Sequence, residues 1–205
     1  MTTEKRQQRH WDRWFRRTRH EFCPLLMPYA GQPNLVYVEI GCWAGASAEW
    51  VCRNILTHST SLGIGIDPYL ADPPRHPKVE IDKVRELAMT RIAALPGRKW
   101  EWFYLPSATV LRQWQTIQID ILYIDGDHNA WACVQDFALA WKWLKPGSLV
   151  IFDDYQTKLA KRYPNVAQAY DSIVKCWGPL ITEVGHGPRQ RAVKVVAKDL
   201  MELNK

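Results

Sequence analysis

Acidic side chains directly follow two apolar runs in the second half of the sequence. Asp125 follows one run, and Asp153 and Asp154 follow the next. If the two runs are neighbouring parallel strands, which lie about 4.8 Å apart, the three carboxylates meet at one rim of a sheet. Anions held this close repel one another, so their pKa values rise or a cation binds between them. Because all the ligand atoms are oxygens, we expect Mg²⁺, with Mn²⁺ or Ca²⁺ as substitutes.

A histidine lies on the same turn as the first of these acids. His128 comes three residues after Asp125, so both side chains can face one cavity. An imidazole titrates near neutral pH and can take a proton from a substrate hydroxyl. We therefore interpret His128 as a general base rather than as a residue that caps the loop. Asp127 lies just before a predicted helix and is expected to be its N-cap.

A glycine-rich turn follows the first apolar run, at residues 35–40. Gly41 and Gly45 allow a sharp turn from strand to helix and leave helix amide groups free for an anion. The turn lacks the third glycine of the dinucleotide fingerprint, so alone it is typical of an ordinary βα connection. The second run ends in Asp67, 22 residues after Gly45, where an acid can accept both hydroxyls of a ribose. Together these residues favour a nucleoside cofactor.

Apolar runs alternate with segments of helical period from residue 35 onward. Because these runs are apolar at consecutive positions, both faces of the sheet are expected to be covered by helices, as in a parallel sheet. The last two runs flank a glycine-rich turn and predict a hairpin with one antiparallel strand. The sequence thus predicts a doubly wound α/β domain with a mostly parallel, seven-stranded sheet. The predicted strands are 35–40, 62–66, 100–105, 119–124, 149–152, 181–184 and 192–197, and the predicted helices are 45–57, 79–95, 108–116, 130–144 and 164–177.

The composition is that of a globular protein. Of 205 residues, 47% are apolar and 23% charged, with no internal repeat or long linker, so we expect residues 1–205 to form one domain. No apolar run approaches the ~20 residues of a membrane-spanning helix, and no signal core follows the first methionine. We expect a cytoplasmic protein with no membrane partner, whose five cysteines are reduced.

The N-terminal segment is basic and amphipathic. Residues 1–22 hold seven Lys or Arg and three acids, which place +4 of the net charge of +6 there. Trp11, Trp14, Phe15 and Phe22 follow the helical period over residues 4–22 and need burial. We expect residues 1–30 to form a lid, or an interface in a homo-oligomer, with the arginines solvated. We do not expect nucleic acid as a partner.

Four blocks of this sequence together point to one enzyme family. They are Glu-x-Gly-x-x-x-Gly-x-Ser at 39–47, Ile-Asp at 66–67, Tyr-Ile-Asp-Gly-Asp-His at 123–128 and Leu-Lys-Pro-Gly-Ser-Leu-Val-Ile-Phe-Asp-Asp-Tyr at 144–155. The sequence resembles class I S-adenosylmethionine-dependent methyltransferases over residues 35 to about 197. The most similar branch is the metal-dependent small-molecule O-methyltransferases of macrocin and catechol type. The resemblance implies a Rossmann-like fold, S-adenosylmethionine and Mg²⁺ as cofactors, and a hydroxylated small molecule as acceptor.

The resemblance also implies a role for each matching position. Ser47 would hold the methionine carboxylate, Asp67 the ribose hydroxyls, and Trp43 would offer an aromatic face to the sulfonium. The segment 105–107 lacks the acidic adenine contact of the wider superfamily. The implied cofactor contacts are Glu39, Gly41, Trp43, Gly45, Ser47, Asp67, Ser107 and Asp125; the implied metal ligands are Asp125, Asp153 and Asp154; and the implied catalytic residues are His128 and Asp125.

The implied reaction is a direct displacement. A divalent ion lowers the pKa of the acceptor hydroxyl, His128 removes its proton, and the oxygen attacks the sulfonium methyl group. Two alternatives stay open: a methyltransferase that acts on nitrogen or on a macromolecule, RNA or protein, and a cofactor-binding module without catalysis. We expect the acceptor pocket to include the N-terminal segment, the loop 68–78 and the region after Tyr155.

Overall fold

The computed structural model describes residues 8–70, 80–155, 165–199 and 201–202, and its seven strands form one sheet. In chain order the elements are α1 (Arg13–Leu26), β1 (Val36–Ile40), α2 (Ala46–Asn54), β2 (Leu62–Ile66), α3 (Ile81–Ala93), β3 (Lys99–Phe103), α4 (Ser107–Gln113), β4 (Ile119–Ile124), α5 (Ala130–Ala140), β5 (Leu144–Phe152), α6 (Val166–Trp177), β6 (Ile181–His186) and β7 (Arg191–Val195), with short 3₁₀ helices at Met27–Tyr29, Trp141–Trp143 and Gly178–Leu180.

The strand order is β3-β2-β1-β4-β5-β7-β6. Strands β1 to β5 are mutually parallel, and β7 pairs antiparallel with both β5 and β6. The prediction of a doubly wound sheet with one antiparallel strand in a C-terminal hairpin is therefore confirmed. Because β1 lies between β2 and β4, the order reverses at β1, and a crevice forms beyond the carboxyl ends of β1 and β4.

Helices cover both faces of the sheet, as the consecutive apolar positions predict. In β4, Leu122 packs into one core cluster with Phe137 of α5. The neighbouring residue Tyr123 packs into the opposite cluster with Phe22 of α1 and Val51 of α2. Strand β4 therefore buries successive side chains on alternate faces, and this fixes which residues at its end point toward which helix layer.

Several element boundaries differ from those that the sequence predicts. Strand β5 begins at Leu144 rather than at residue 149, although Pro146 and Gly147 are typical of a turn. A register shift between Ile119 and Ile121 of the partner strand accommodates these residues, and Gly147 has a left-handed φ of +91°. Helix α1 ends at Leu26 rather than at residue 22 and contains Pro24 in its last turn.

Helix α1 packs on its own domain. Phe22 is fully buried, and its ring centroid lies 4.8 Å from that of Tyr123. At the other end of the segment, Trp11 is buried, and Asp12 pairs with Arg91 of α3 at 2.5 Å. Trp11 and Phe22 of the predicted apolar stripe are therefore buried within the chain, whereas Trp14 is 42% exposed. The lid and the homo-oligomer stay predictions.

Some predicted features fall on other parts of the chain. Residues 4–7 of the predicted N-terminal helix, most of the loop 68–78, and residues 156–164 after Tyr155 lie outside the described residues. None of the helices that the structure describes combines the length and the apolar character needed to cross a bilayer.

Candidate functional site

The turn after β1 and the end of β4 meet through their backbones. The Asp125 amide donates a hydrogen bond to the Ile40 carbonyl at 2.8 Å. Gly41 has a φ of +87°, and a Cβ at this position would lie 2.2 Å from the Asp125 carbonyl oxygen. Only glycine fits both the left-handed conformation and this contact. The predicted cofactor turn and the predicted acidic rim are therefore adjacent.

Asp67, at the end of β2, holds the turn after β1. Its Oδ2 accepts the Trp43 amide at 2.9 Å and its Oδ1 accepts the Tyr69 amide at 2.8 Å. The Tyr69 hydroxyl in turn donates to the Trp43 carbonyl oxygen at 2.9 Å. Burial raises the pKa of Asp67, and the amide hydrogen bonds oppose that rise. Each carboxylate oxygen has a second lone pair, so Asp67 can still accept ligand hydroxyls.

Glu39 lies beneath the same turn and is completely buried. The Tyr37 hydroxyl donates to its Oε2 at 2.8 Å, and the Ser47 hydroxyl donates to its Oε1. Burial raises the pKa of Glu39 to about 8, while these two hydrogen bonds lower it. The structure thus brings Glu39 and Ser47 together, with Gly45 at the N-cap of α2 in a left-handed conformation between them.

His128 lies between two of the predicted rim acids. Its Nε2 is 3.5 Å from Asp125 Oδ1, and its Nδ1 is 3.4 Å from Asp154 Oδ2. All three side chains are about one third exposed, so a solute can reach them. Removal from bulk water and the charge of Asp154 raise the pKa of Asp125. The pair of carboxylates can orient the imidazole and stabilise it when it gains a proton.

The third rim acid, Asp153, points into the protein. It is 7% exposed, and its Oδ2 accepts the Tyr123 hydroxyl at 2.9 Å. Its Oδ1 accepts the side-chain amide of Gln190 at 3.0 Å. Burial and the charges of Asp125 and Asp154 raise the pKa of Asp153. Asp125 and Asp154 therefore face His128, whereas Asp153 is buried beside Asp125, whose Oδ2 lies 3.3 Å from the same Tyr123 hydroxyl.

Ser107 begins α4 and lies beside a carboxylate from another helix. Its hydroxyl donates to Asp136 Oδ1 of α5 at 2.5 Å, and Asp136 is 4% exposed. Burial raises the pKa of Asp136 to about 6, and the hydrogen bond from Ser107 lowers it. The end of β3 has no acid of its own, but a buried acid from α5 lies next to it.

A family model of a methyltransferase domain matches residues 38–155. The chain belongs to this methyltransferase family. The matched part runs from β1 to the residue after the rim acids, and it contains every predicted site residue. An uncharacterized protein of Acanthamoeba polyphaga mimivirus is 30% identical over 142 residues, which are 69% of this chain and 60% of that protein. The chain thus spans less than two thirds of the length of this curated relative.

Solved methyltransferases share the fold. An O-methyltransferase from Bacillus cereus in complex with SAH is 19% identical with a TM-score of 0.60, covering 87% of this chain and 80% of that one. MycE, a methyltransferase of the mycinamycin biosynthetic pathway in complex with Mg, SAH and mycinamycin VI, is 16% identical with a TM-score of 0.58, covering 91% and 50%. At these identities the likeness shows the methyltransferase fold.

A three-carboxylate metal cage is not assembled in this methyltransferase domain. Within the described ranges, no group of three His, Cys, Asp or Glu side chains is arranged to hold a metal ion. Asp125 and Asp154 are the partly exposed acids on either side of His128, and Mg²⁺ is commonly bound through one or two carboxylates together with water molecules. The prediction that Asp127 is the N-cap of α5 is wrong, because Asn129 holds that position and Asp127 accepts its backbone and side-chain amides.

Sequence reasoning missed four residues that contact the predicted site. The Tyr37 hydroxyl donates to Glu39, and the Tyr123 hydroxyl lies 3.3 Å from Asp125 Oδ2 and 2.9 Å from Asp153 Oδ2. The available signal was a tyrosine two residues before an acid, since side chains i and i+2 of a strand share a face. Gln190 and Asp136 offered no such local signal, because their partners lie 37 and 29 residues away.

Replacing Glu39 by Gln should flatten the dependence of stability on pH. The pKa of Glu39 is about 8 in the folded protein against an ordinary value of 4.5, so the folded state retains a proton that the unfolded state releases between these values. The wild-type protein should therefore lose, relative to Glu39→Gln, about 1.4 kcal/mol of unfolding free energy per pH unit as the pH rises through this window. Urea unfolding at several pH values measures the difference, and parallel curves would contradict it.

Proposed function

We propose that the protein is an S-adenosylmethionine-dependent O-methyltransferase that acts on a hydroxylated small molecule. The observation that carries the proposal is the position of His128 between Asp125 and Asp154, beside the turn that follows β1. The proposed base then lies next to the proposed cofactor-binding turn, at the point where the strand order of the sheet reverses. The similarity to the O-methyltransferase from Bacillus cereus, which binds SAH, supports the same assignment.

The cofactor is proposed to lie along the turn between β1 and β2. Asp67 would take the ribose hydroxyls, and Ser47 with Glu39 would take the amino acid end of the methionine. Ser107, with Asp136 beside it, would lie near the adenine. Trp43 is held by both Asp67 and Tyr69 and would present its ring near the sulfonium. Acids on this edge favour the positive sulfonium over its neutral product, which helps the product to leave.

His128 is proposed to remove the proton of the acceptor hydroxyl. The carboxylates of Asp125 and Asp154 would fix the ring and stabilise the imidazolium, as an acid does in other histidine bases. The resulting oxygen anion would then accept the methyl group that the bound sulfonium supplies, and the C–S electron pair would stay on sulfur as the neutral thioether. No covalent enzyme intermediate is required.

Assistance by a divalent metal stays a prediction from the resemblance. Asp125 and Asp154 are the ligands that the structure leaves accessible, with Asp153 held by Tyr123 and Gln190. A bound Mg²⁺ would supply Lewis acidity to the acceptor oxygen. In that case Asp125 and Asp154 would hold the ion, and His128 would take the proton.

Binding of S-adenosylmethionine, without any acceptor, tests the cofactor site. A ligand that binds only the folded state raises the melting temperature by mass action. We expect a rise with the wild-type protein and none with Asp67→Ala, while Asp67→Asn should bind about 10- to 100-fold more weakly because a charged acceptor is lost. Asp82→Ala, at an acid that is 81% exposed on α3, is the control. A shift with NAD and none with S-adenosylmethionine would refute the assignment.

The substitution His128→Ala should lower turnover by roughly 10²- to 10⁴-fold, which is the usual contribution of a positioned base. Cofactor affinity should change little, since His128 faces the acceptor. The loss should shrink for acceptors whose hydroxyl is already acidic, because they need less help to ionise. Labelled methyl transfer measures the rates, with the exposed His58 as the matched control for His→Ala. Wild-type turnover across several acceptors would exclude the role.

Chelation tests the metal prediction separately from the cofactor. EDTA should remove methyl transfer and Mg²⁺ should restore it, whereas calorimetric binding of S-adenosylmethionine should survive EDTA, because the ion serves the acceptor. Asp154→Asn should raise the Mg²⁺ concentration needed for activity more than Asp153→Asn does, since Asp153 is turned inward. Full activity in EDTA would show that His128 acts without a metal.

A further inference from the structure

Helix α1 holds the turn between β6 and β7 through one buried acid. The side chain of Glu21 is 7% exposed, and its Oε2 accepts the amides of Arg189 at 3.0 Å and Gln190 at 2.8 Å. A Cβ at Gly187 would lie 1.8 Å from the same oxygen. A side chain at residue 187 would therefore displace the Glu21 carboxylate from its position on the turn.

The same turn reaches the acidic rim. Gln190 is 1% exposed, and its side-chain amide donates to Asp153 Oδ1 at 3.0 Å. Next to it, the Arg189 carbonyl accepts the amide of Tyr155 at 2.8 Å. The segment 153–155 is thus held at two points by residues that Glu21 holds from the other side. A continuous chain of hydrogen bonds joins α1 to the end of β5.

The conformation of the rim depends on this support. Asp154 has a φ of +56°, in the left-handed region that non-glycine residues rarely adopt. Such a residue persists only where its surroundings hold it in place. Asp153 is fixed toward Gln190 and Tyr123. The left-handed backbone at Asp154 then directs the carboxylate of Asp154 to His128.

We propose that Glu21 and Gln190 are positioning residues for the acidic rim: they hold Asp153 inward and so keep Asp154 on His128. The proposal rests on the proposed function insofar as it concerns catalysis, but the coupling itself is structural. Neither residue touches the reacting atoms. The position of Asp154 on His128 then depends on the packing of α1 against the hairpin turn. In this way the N-terminal helix contributes to the reaction.

The helix also supplies a matched control. Asp12, the N-cap of α1 nine residues before Glu21, ties the same N-terminal segment to Arg91 of α3 at 2.5 Å. Asp12→Asn should therefore lower the melting temperature without changing the rim. Glu21→Gln keeps one acceptor oxygen for the amides of Arg189 and Gln190, so it should resemble the wild type more than Glu21→Ala does.

Amide hydrogen exchange tests the coupling without any activity. The Tyr155 amide should exchange about tenfold faster in Glu21→Ala, because its acceptor on Arg189 is no longer held. It should exchange at the wild-type rate in Asp12→Asn. Unchanged exchange at Tyr155 in Glu21→Ala, or an equal increase in Asp12→Asn, would overturn the proposal.

Steady-state kinetics test the consequence for catalysis. Glu21→Ala and Gln190→Ala should each lower kcat about 10- to 100-fold with little change in KM for S-adenosylmethionine, since a shift of about 1 Å at a catalytic group has effects of this size. The double variant should be no slower than the slower single variant, because both act through Asp153. Additive losses, or wild-type kcat in Gln190→Ala, would overturn the positioning role. If the wild-type protein transfers no methyl group while Tyr155 exchange responds as expected, the coupling stands and the proposed function fails.

Discussion

The carboxyl edge of the sheet concentrates acids that are largely removed from water, and the rest of the site depends on how they are stabilised. Glu39 and Asp153 are buried, and the pKa values of both are raised. An ionised carboxylate in such surroundings is costly unless donors replace its water. Here the donors are Tyr37 on the same strand as Glu39, and Tyr123 on β4 and Gln190 after β6 for Asp153. Satisfying the acids therefore draws the hairpin and α1 onto the same edge.

The acids at this edge suit a reaction in which the cofactor carries a positive charge before methyl transfer and the base carries one afterwards. In the proposed reaction the sulfonium cofactor is a cation before methyl transfer, and the imidazolium of His128 is a cation after proton transfer. Asp125 and Asp154 lie within 3.5 Å of the imidazole, so they can stabilise the charge where it appears. A site built for cations can also hold Mg²⁺, which is why the metal and the histidine are tested separately.

Local patterns predicted the sheet and the positions of most candidate residues. Runs such as 121–124, apolar at consecutive positions, placed parallel strands correctly, and the acids that follow them lie where the strand ends require. What local patterns could not predict is the direction of neighbouring side chains. Asp153 and Asp154 are adjacent acids, yet a left-handed φ at Asp154 sends one to His128 and the other to the core. Gln190 donates a hydrogen bond to Asp153, which lies 37 residues away in the sequence, so only folding brings the two side chains together.

The most direct test of the account is the atom that receives the methyl group. Wild-type protein is incubated with S-adenosylmethionine that carries an isotopically labelled methyl group, and with acceptors offered as matched pairs that differ only in a hydroxyl or an amine. Mass spectrometry with fragmentation then locates the label. The account predicts label on the hydroxyl oxygen of at least one acceptor and formation of an equal amount of SAH. Label found only on nitrogen, or SAH formed without any methylated hydroxyl, would contradict it.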